Sequence, residues 1–181
     1  MKLLRTIQLD ASDNYVFEQA AAPGEWAVAG AFVFWGSDPA QLQGKARSAF
    51  RGGFLGVASL GWSTLVQIVE ARAEDRAALV ETLAQRLLES FGAPDLSAAR
   101  AAAEEEVAFV DSLCNQPVDS LIAVHRSHED GTIRESFRTL RPRAGAKPLR
   151  AFSFLEVEGE VEQEQPTEQV DLLALAERER K

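Results

Sequence analysis

Hydrophobic and polar positions alternate at short period in some stretches of the chain and at helical period in others. The most apolar stretch is 26–35, ten residues without a charge that hold two of the three tryptophans. Pro23-Gly24 precedes it and Gly36-Ser37 follows it. Such a run fits either a buried helix or a strand buried on both faces. Its β-branched and aromatic residues, with turn residues on both sides, predict a strand. Residues 3–9 alternate as a strand with one more apolar face, and Tyr15-Val16-Phe17-Glu18 suits a further short strand.

Beyond the run, Asp38 is placed as an N-cap, Pro39 at the first helical position and Gln41 where a capping box takes Glu or Gln. Leu42, Ala46, Ala49 and Phe50 share one face of the predicted helix, while Lys45, Arg47 and Arg51 point elsewhere. Gly52-Gly53 ends it. Residues 54–57 read as a loop or short extended piece, and 61–70 as the next strand. A long helix over 73–91 follows, with Val80, Leu83, Leu87 and Phe91 on its apolar stripe. Asp95 caps a second, to about Asn115, with Ala99, Ala103, Val107, Val110 and Cys114 as its stripe and Glu104, Glu105 and Glu106 on its wet side.

The clearest hairpin joins 121–128 to 132–140 through Asp130-Gly131, the dipeptide of a two-residue type I′ turn. Counting outward, Arg126 faces Glu135, Val124 faces Phe137 and His125 faces Ser136. A last strand is expected over 149–157. This order predicts an α+β fold: a mostly antiparallel sheet of about five or six strands, with three helices packed on one face.

The length, 181 residues, suits one domain, taken as 1–157. Residues 158–181 form an acidic tail, expected to stay solvated and mobile, with a short amphipathic helix after Pro166. The formal net charge of −9 repels phosphate backbones and anionic lipid, so nucleic acid and membranes are not expected as partners. The N-terminal residues have no secretory-signal pattern and no run suits a membrane-spanning helix, which points to the cytoplasm. Cys114 is the only cysteine, which excludes an intramolecular disulfide and agrees with a reducing compartment.

Candidate chemistry centres on the hairpin face bearing His125, Arg134, Ser136 and Arg138. Two guanidinium groups beside an imidazole suit a carboxylate or phosphate. The plain alternative is the solvent face of an outer hairpin. Trp35 and Trp62 are candidates to line an apolar pocket, against ordinary core packing. His125 and His128 lie three apart, on opposite strand faces, so a metal site is not expected. No phosphate loop, nucleophile elbow or other catalytic constellation stands out, and no cofactor is expected. The Arg126–Glu135 pair reads as structural and of small energetic value. Six cations between Arg134 and Arg150 face a single acid, Glu135; the acidic tail shields this strip, or the strip meets an acidic partner, or both are unrelated solvated runs.

The segments Gly24-Glu25-Trp26-Ala27-Val28, Phe34-Trp35-Gly36, Gly61-Trp62-Ser63-Thr64-Leu65-Val66 and Ala123-Val124-His125-Arg126 resemble a family of small proteobacterial proteins of unknown function. The resemblance covers the chain to about Arg143 and leaves the acidic tail outside. It implies no activity or catalytic residues. Its association with neighbourhoods of redox-enzyme maturation implies an accessory role. Two functions are therefore carried forward. One is a non-catalytic accessory or interaction protein that self-associates or binds another protein. The other is a small-molecule binder or enzyme that holds an anionic ligand between sheet and helices.

Overall fold

The computed structural model describes residues 1–142 and 155–158. It is an α+β fold. The strands are β1 (Lys2–Ile7), β2 (Ala27–Val28), β3 (Phe54–Gly56), β4 (Trp62–Ser63), β5 (Leu65–Glu70), β6 (Leu121–Glu129), β7 (Thr132–Pro142) and β8 (Leu155–Glu158). The helices are α1 (Asp13–Val16), α2 (Gly44–Gly52), α3 (Ala73–Ser90) and α4 (Leu96–Leu113). A five-stranded antiparallel sheet has the order β1-β5-β6-β7-β8, and β2-β3-β4 form a small second sheet. The tail beyond Glu158, its expected helix, and Arg143, Lys147 and Arg150 of the basic strip lie outside the described residues.

The periodic elements form as their spacing predicts. The stripes of α3 and α4 are buried, Leu83, Ala99, Ala103, Val107 and Val110 completely so, except that Phe91, just past the end of α3, is half-buried. Asp95 caps α4 by accepting the Ala98 N–H at 2.8 Å. Core residues of α2, α3 and α4 belong to one cluster with those of both sheets. Asp130 and Gly131 both have positive φ, 51° and 76°, as a type I′ turn requires. The hairpin register sets Val124 opposite Phe137, His125 opposite Ser136 and Arg126 opposite Glu135.

The apolar run 26–35 is not the strand its composition predicts. Only Ala27–Val28 are extended; Ala31–Phe34 form a 3-10 turn. The break is at Gly30, whose φ of +80° is open to glycine and costly for other residues. A Cβ there would also stand 2.7 Å from the Leu55 Cβ and 3.3 Å from the Trp62 ring. Val28, Ala29 and Phe34 still reach the core, but from a folded-back segment, and Trp35 is left 75% exposed. An uninterrupted apolar run has no period, so burial alone did not specify its backbone.

Other elements differ more modestly. Tyr15 and Val16 belong to a one-turn helix, not a strand. Its buried Asp13 accepts from the Thr64 hydroxyl at 2.6 Å and the Thr64 N–H at 3.2 Å. That tertiary contact, 51 residues apart in sequence, outweighs the β propensity of a short segment. Asp38 does cap, through the Ala40 N–H, but over the 3-10 turn Pro39–Gln41, and α2 starts afresh at Gly44. The expected strand over 61–70 breaks at Thr64 into β4 and β5, one in each sheet.

Candidate functional site

A buried charge cluster joins the two halves of the fold. The Arg126 side chain is completely buried and donates from Nε to Glu135 Oε1 at 2.6 Å. Its Nη1 donates to the carbonyls of Gly53 at 2.7 Å and Phe50 at 3.2 Å, and its Nη2 to the carbonyl of Ala29. One guanidinium thus ties β6 to β7, to the end of α2 and to the turn at Gly30. Glu106 of α4 closes the same region by accepting the Gly30 N–H at 2.9 Å. Burial pulls the Arg126 guanidinium below its ordinary value, opposed mainly by Glu135. Burial also raises the Glu106 carboxyl, partly offset by its bond to Gly30. Glu106 therefore does not belong to the wet side of its helix, and the Arg126–Glu135 pair, expected to be structural, joins a fully buried guanidinium to a carboxylate side chain 18% exposed.

This clamp positions a basic cleft. β5 pairs with β6 only at Leu121, Ile122 and Ala123. Past that point the edge of β6 is met by α2, which Arg126 holds by its last carbonyls. Because the edge is open, residues from both strand faces reach the gap. The cleft, about 410 Å³, is walled by Arg47 and Arg51 from α2 and by His125, Ser127 and His128 from β6, with Pro39 and Ala40 at its rim. Arg126 forms part of its floor, its charge already committed to Glu135. Among the described residues no acid lines the cleft, and neither Arg47 nor Arg51 has an ion pair. The two arginines are four positions apart on a helix, so they stand one above the other. Their forks suit a multi-oxygen anion.

The residues singled out from the sequence are distributed as follows. His125 lines the cleft. Ser136 is exposed on the outer face of the hairpin and donates to the His125 carbonyl at 3.3 Å. Arg134, also exposed, pairs with Glu129 at 3.2 Å, and Arg138 is exposed opposite Ala123. Trp62 is a core residue, 9% exposed and stacked on Phe34 with ring centroids 5.3 Å apart. Trp35 projects from the loop before Pro39 and does not line the cleft. Arg47, Arg51 and His128 are the residues sequence reasoning missed. The available signal was the placement of Arg47 and Arg51 off the apolar face of their helix.

Cys114 is buried, and burial pushes its thiol up to about 11, so the nucleophilic thiolate is scarce near neutral pH. Among the described residues no group of three or more His, Cys, Asp or Glu side chains is placed to hold a metal ion, and no helix is long and apolar enough to cross a membrane.

The model of a protein family described as a family of unknown function (DUF6505) matches residues 1–156, further than the expected limit near Arg143. No curated protein and no solved structure matches the chain.

Proposed function

The chain belongs to the DUF6505 family of unknown function, and from its geometry we propose that it is a binding module for a small anion. The ligand is a phosphate- or carboxylate-bearing molecule held in the cleft between α2 and β6. The observation that carries this reading is the pair Arg47 and Arg51. They stand one turn apart on the cleft wall with no acid paired to them among the described residues, in a chain whose formal net charge is −9. Unneutralised arginines on an acidic protein create a local positive field that draws in oxyanions, and their planar forks then orient them. Ser127, His125 and His128 add hydrogen-bonding groups opposite. Of the two functions carried forward from the sequence, this reading takes the second, an anionic ligand held between sheet and helices.

Calorimetric titration with inorganic pyrophosphate and with citrate at low salt tests the reading. Saturable binding of at least one of them is expected, weakened about tenfold or more in Arg47→Ala or Arg51→Ala, the loss of one charge-assisted hydrogen bond. Arg134→Ala, on the outer face, should bind normally. Absence of binding by both anions would refute the proposal; an equal loss in Arg134→Ala would move the site to the outer face of the hairpin.

A further inference from the structure

We propose that anion capture in the α2–β6 cleft is proton-linked: His125 and His128 take up protons as the oxyanion binds, and the cleft holds its ligand more tightly as pH falls through the histidine range. This regulation of the cleft rests on the anion-binding reading just given.

The first support is placement. On a regular strand two residues three apart point to opposite faces and share no ligand. Here both line one cleft, because β5 leaves the edge of β6 past Ala123 and the gap there is open to both faces. Both histidines are exposed, so each can exchange protons with water. Their Cα atoms are about 10 Å apart at about 3.3 Å per residue, a distance at which salt already screens like charges. Two imidazolium groups can therefore form together at little mutual cost.

The second is the charge around them. From α2 they are faced by Arg47 and Arg51, while Lys45 of the same helix lies outside the cleft lining. On β7, His125 stands opposite Ser136, between Arg134 and Arg138, and His128 stands opposite Ile133, two residues from Glu135. The acids in this region are held elsewhere. Glu135 accepts from Arg126, and Glu129 accepts from the Ser127 hydroxyl and pairs with Arg134. Asp38, just before the rim residue Pro39, accepts the Ala40 N–H, and Asp130 sits in the hairpin turn outside the lining. Among the described residues no carboxylate in the cleft lining is available to an imidazolium, which leaves the bound oxyanion as its partner.

The third is the chemistry of the side chains. A neutral imidazole offers an oxyanion one N–H, whereas an imidazolium offers two and a full positive charge. Histidine is the side chain whose charge ordinarily changes between about pH 5 and 8. Arginine stays charged throughout, so Arg47 and Arg51 supply affinity that does not depend on pH. By reciprocity, a proton that tightens the anion is itself drawn in by the anion. The arginines thus set a basal affinity, and the histidines make it respond to pH.

Calorimetric titration of the full chain with inorganic pyrophosphate, and likewise with citrate, in two buffers of different ionisation enthalpy counts the protons taken up on binding. Protons taken up by the ligand itself are common to all variants, so the difference from His125→Gln and His128→Gln reports the imidazoles. At pH 7 each variant should take up about 0.3–0.7 proton fewer than the wild type, because an ordinary histidine is about three-quarters neutral there. The double variant should bind about tenfold more weakly than the wild type at pH 6, and about twofold or less more weakly at pH 8. Equal proton uptake in the wild type and both variants would overturn the proposal, as would an affinity loss in the double variant that is the same at both pH values. If binding is still lost in Arg47→Ala, the anion reading of the cleft survives that result. A deficit confined to one variant also overturns the proposal, which requires both histidines. Failure of both anions to bind at either pH removes the proposal together with the reading it rests on.

Discussion

Removing the Arg126 guanidinium puts the buried clamp to its strongest test. Arg126→Met keeps the stem and deletes the bonds to Glu135 Oε1 and to the carbonyls of Ala29, Phe50 and Gly53. It leaves a carboxylate whose side chain is only 18% exposed, together with buried carbonyls that have lost their donor. Truncating one partner of a buried pair costs about 3–5 kcal/mol. Each orphaned carbonyl adds about 1 kcal/mol where water cannot replace the donor. These contributions overlap, so the expected loss is about 4–6 kcal/mol, a large share of the roughly 5–15 kcal/mol that a domain possesses. Glu135→Leu alone strands the arginine instead, and the double variant Arg126→Met/Glu135→Leu should recover at least about 2 kcal/mol relative to the sum of the single losses. Urea unfolding followed by tryptophan fluorescence measures all three. If Arg126→Met fails to fold, Arg126→Lys replaces it and should cost about 2–3 kcal/mol, because an ammonium cannot reproduce the fork. A loss below about 1.5 kcal/mol for Arg126→Met, or strict additivity, would refute the claim that this pair fastens the fold.

Further expectations concern neighbouring groups. Burial holds the Glu106 carboxyl above its ordinary value of 4.5, so its contribution to stability is full below that value and is lost as pH rises through the folded value. Glu106→Gln should therefore flatten the decline in urea midpoint above about pH 4.5, and an unchanged slope would contradict the assignment. Gly30→Ala combines a positive φ with a 2.7 Å contact to Leu55, and should lower stability by about 2–4 kcal/mol; a neutral result would mean that the turn is misplaced. Iodide should quench fluorescence in a Trp35-only protein and spare a Trp62-only one, the reverse order being incompatible with their exposures of 75% and 9%.

The hairpin and the two long helices were legible because each has a local rule. Asp130-Gly131 sets the register, and the stripes through Leu83 and Val107 have a helical period. The segment around Gly30 was not legible: an unbroken apolar run says that residues are buried but gives no direction for the backbone. Arg126 shows a related limit. Strand parity correctly named Glu135 as its partner, but the energy of the pair depends on Ala29, Phe50 and Gly53, far away in sequence. The cleft followed the same pattern. Arg47 and Arg51 were readable as residues off the apolar face, whereas the open edge they meet exists because β5 stops pairing with β6 at Ala123. That is a tertiary fact with no local signature.

Isotope-edited NMR during a pyrophosphate titration locates the anion and so tests the functional account most directly. The account predicts that the amides of Arg47, Arg51, His125 and His128 shift together and saturate on one binding curve, while Arg134 and Arg138 stay in place. Shifts centred on Arg134, Ser136 and Arg138, or no saturable shift at Arg47 and Arg51, would contradict it.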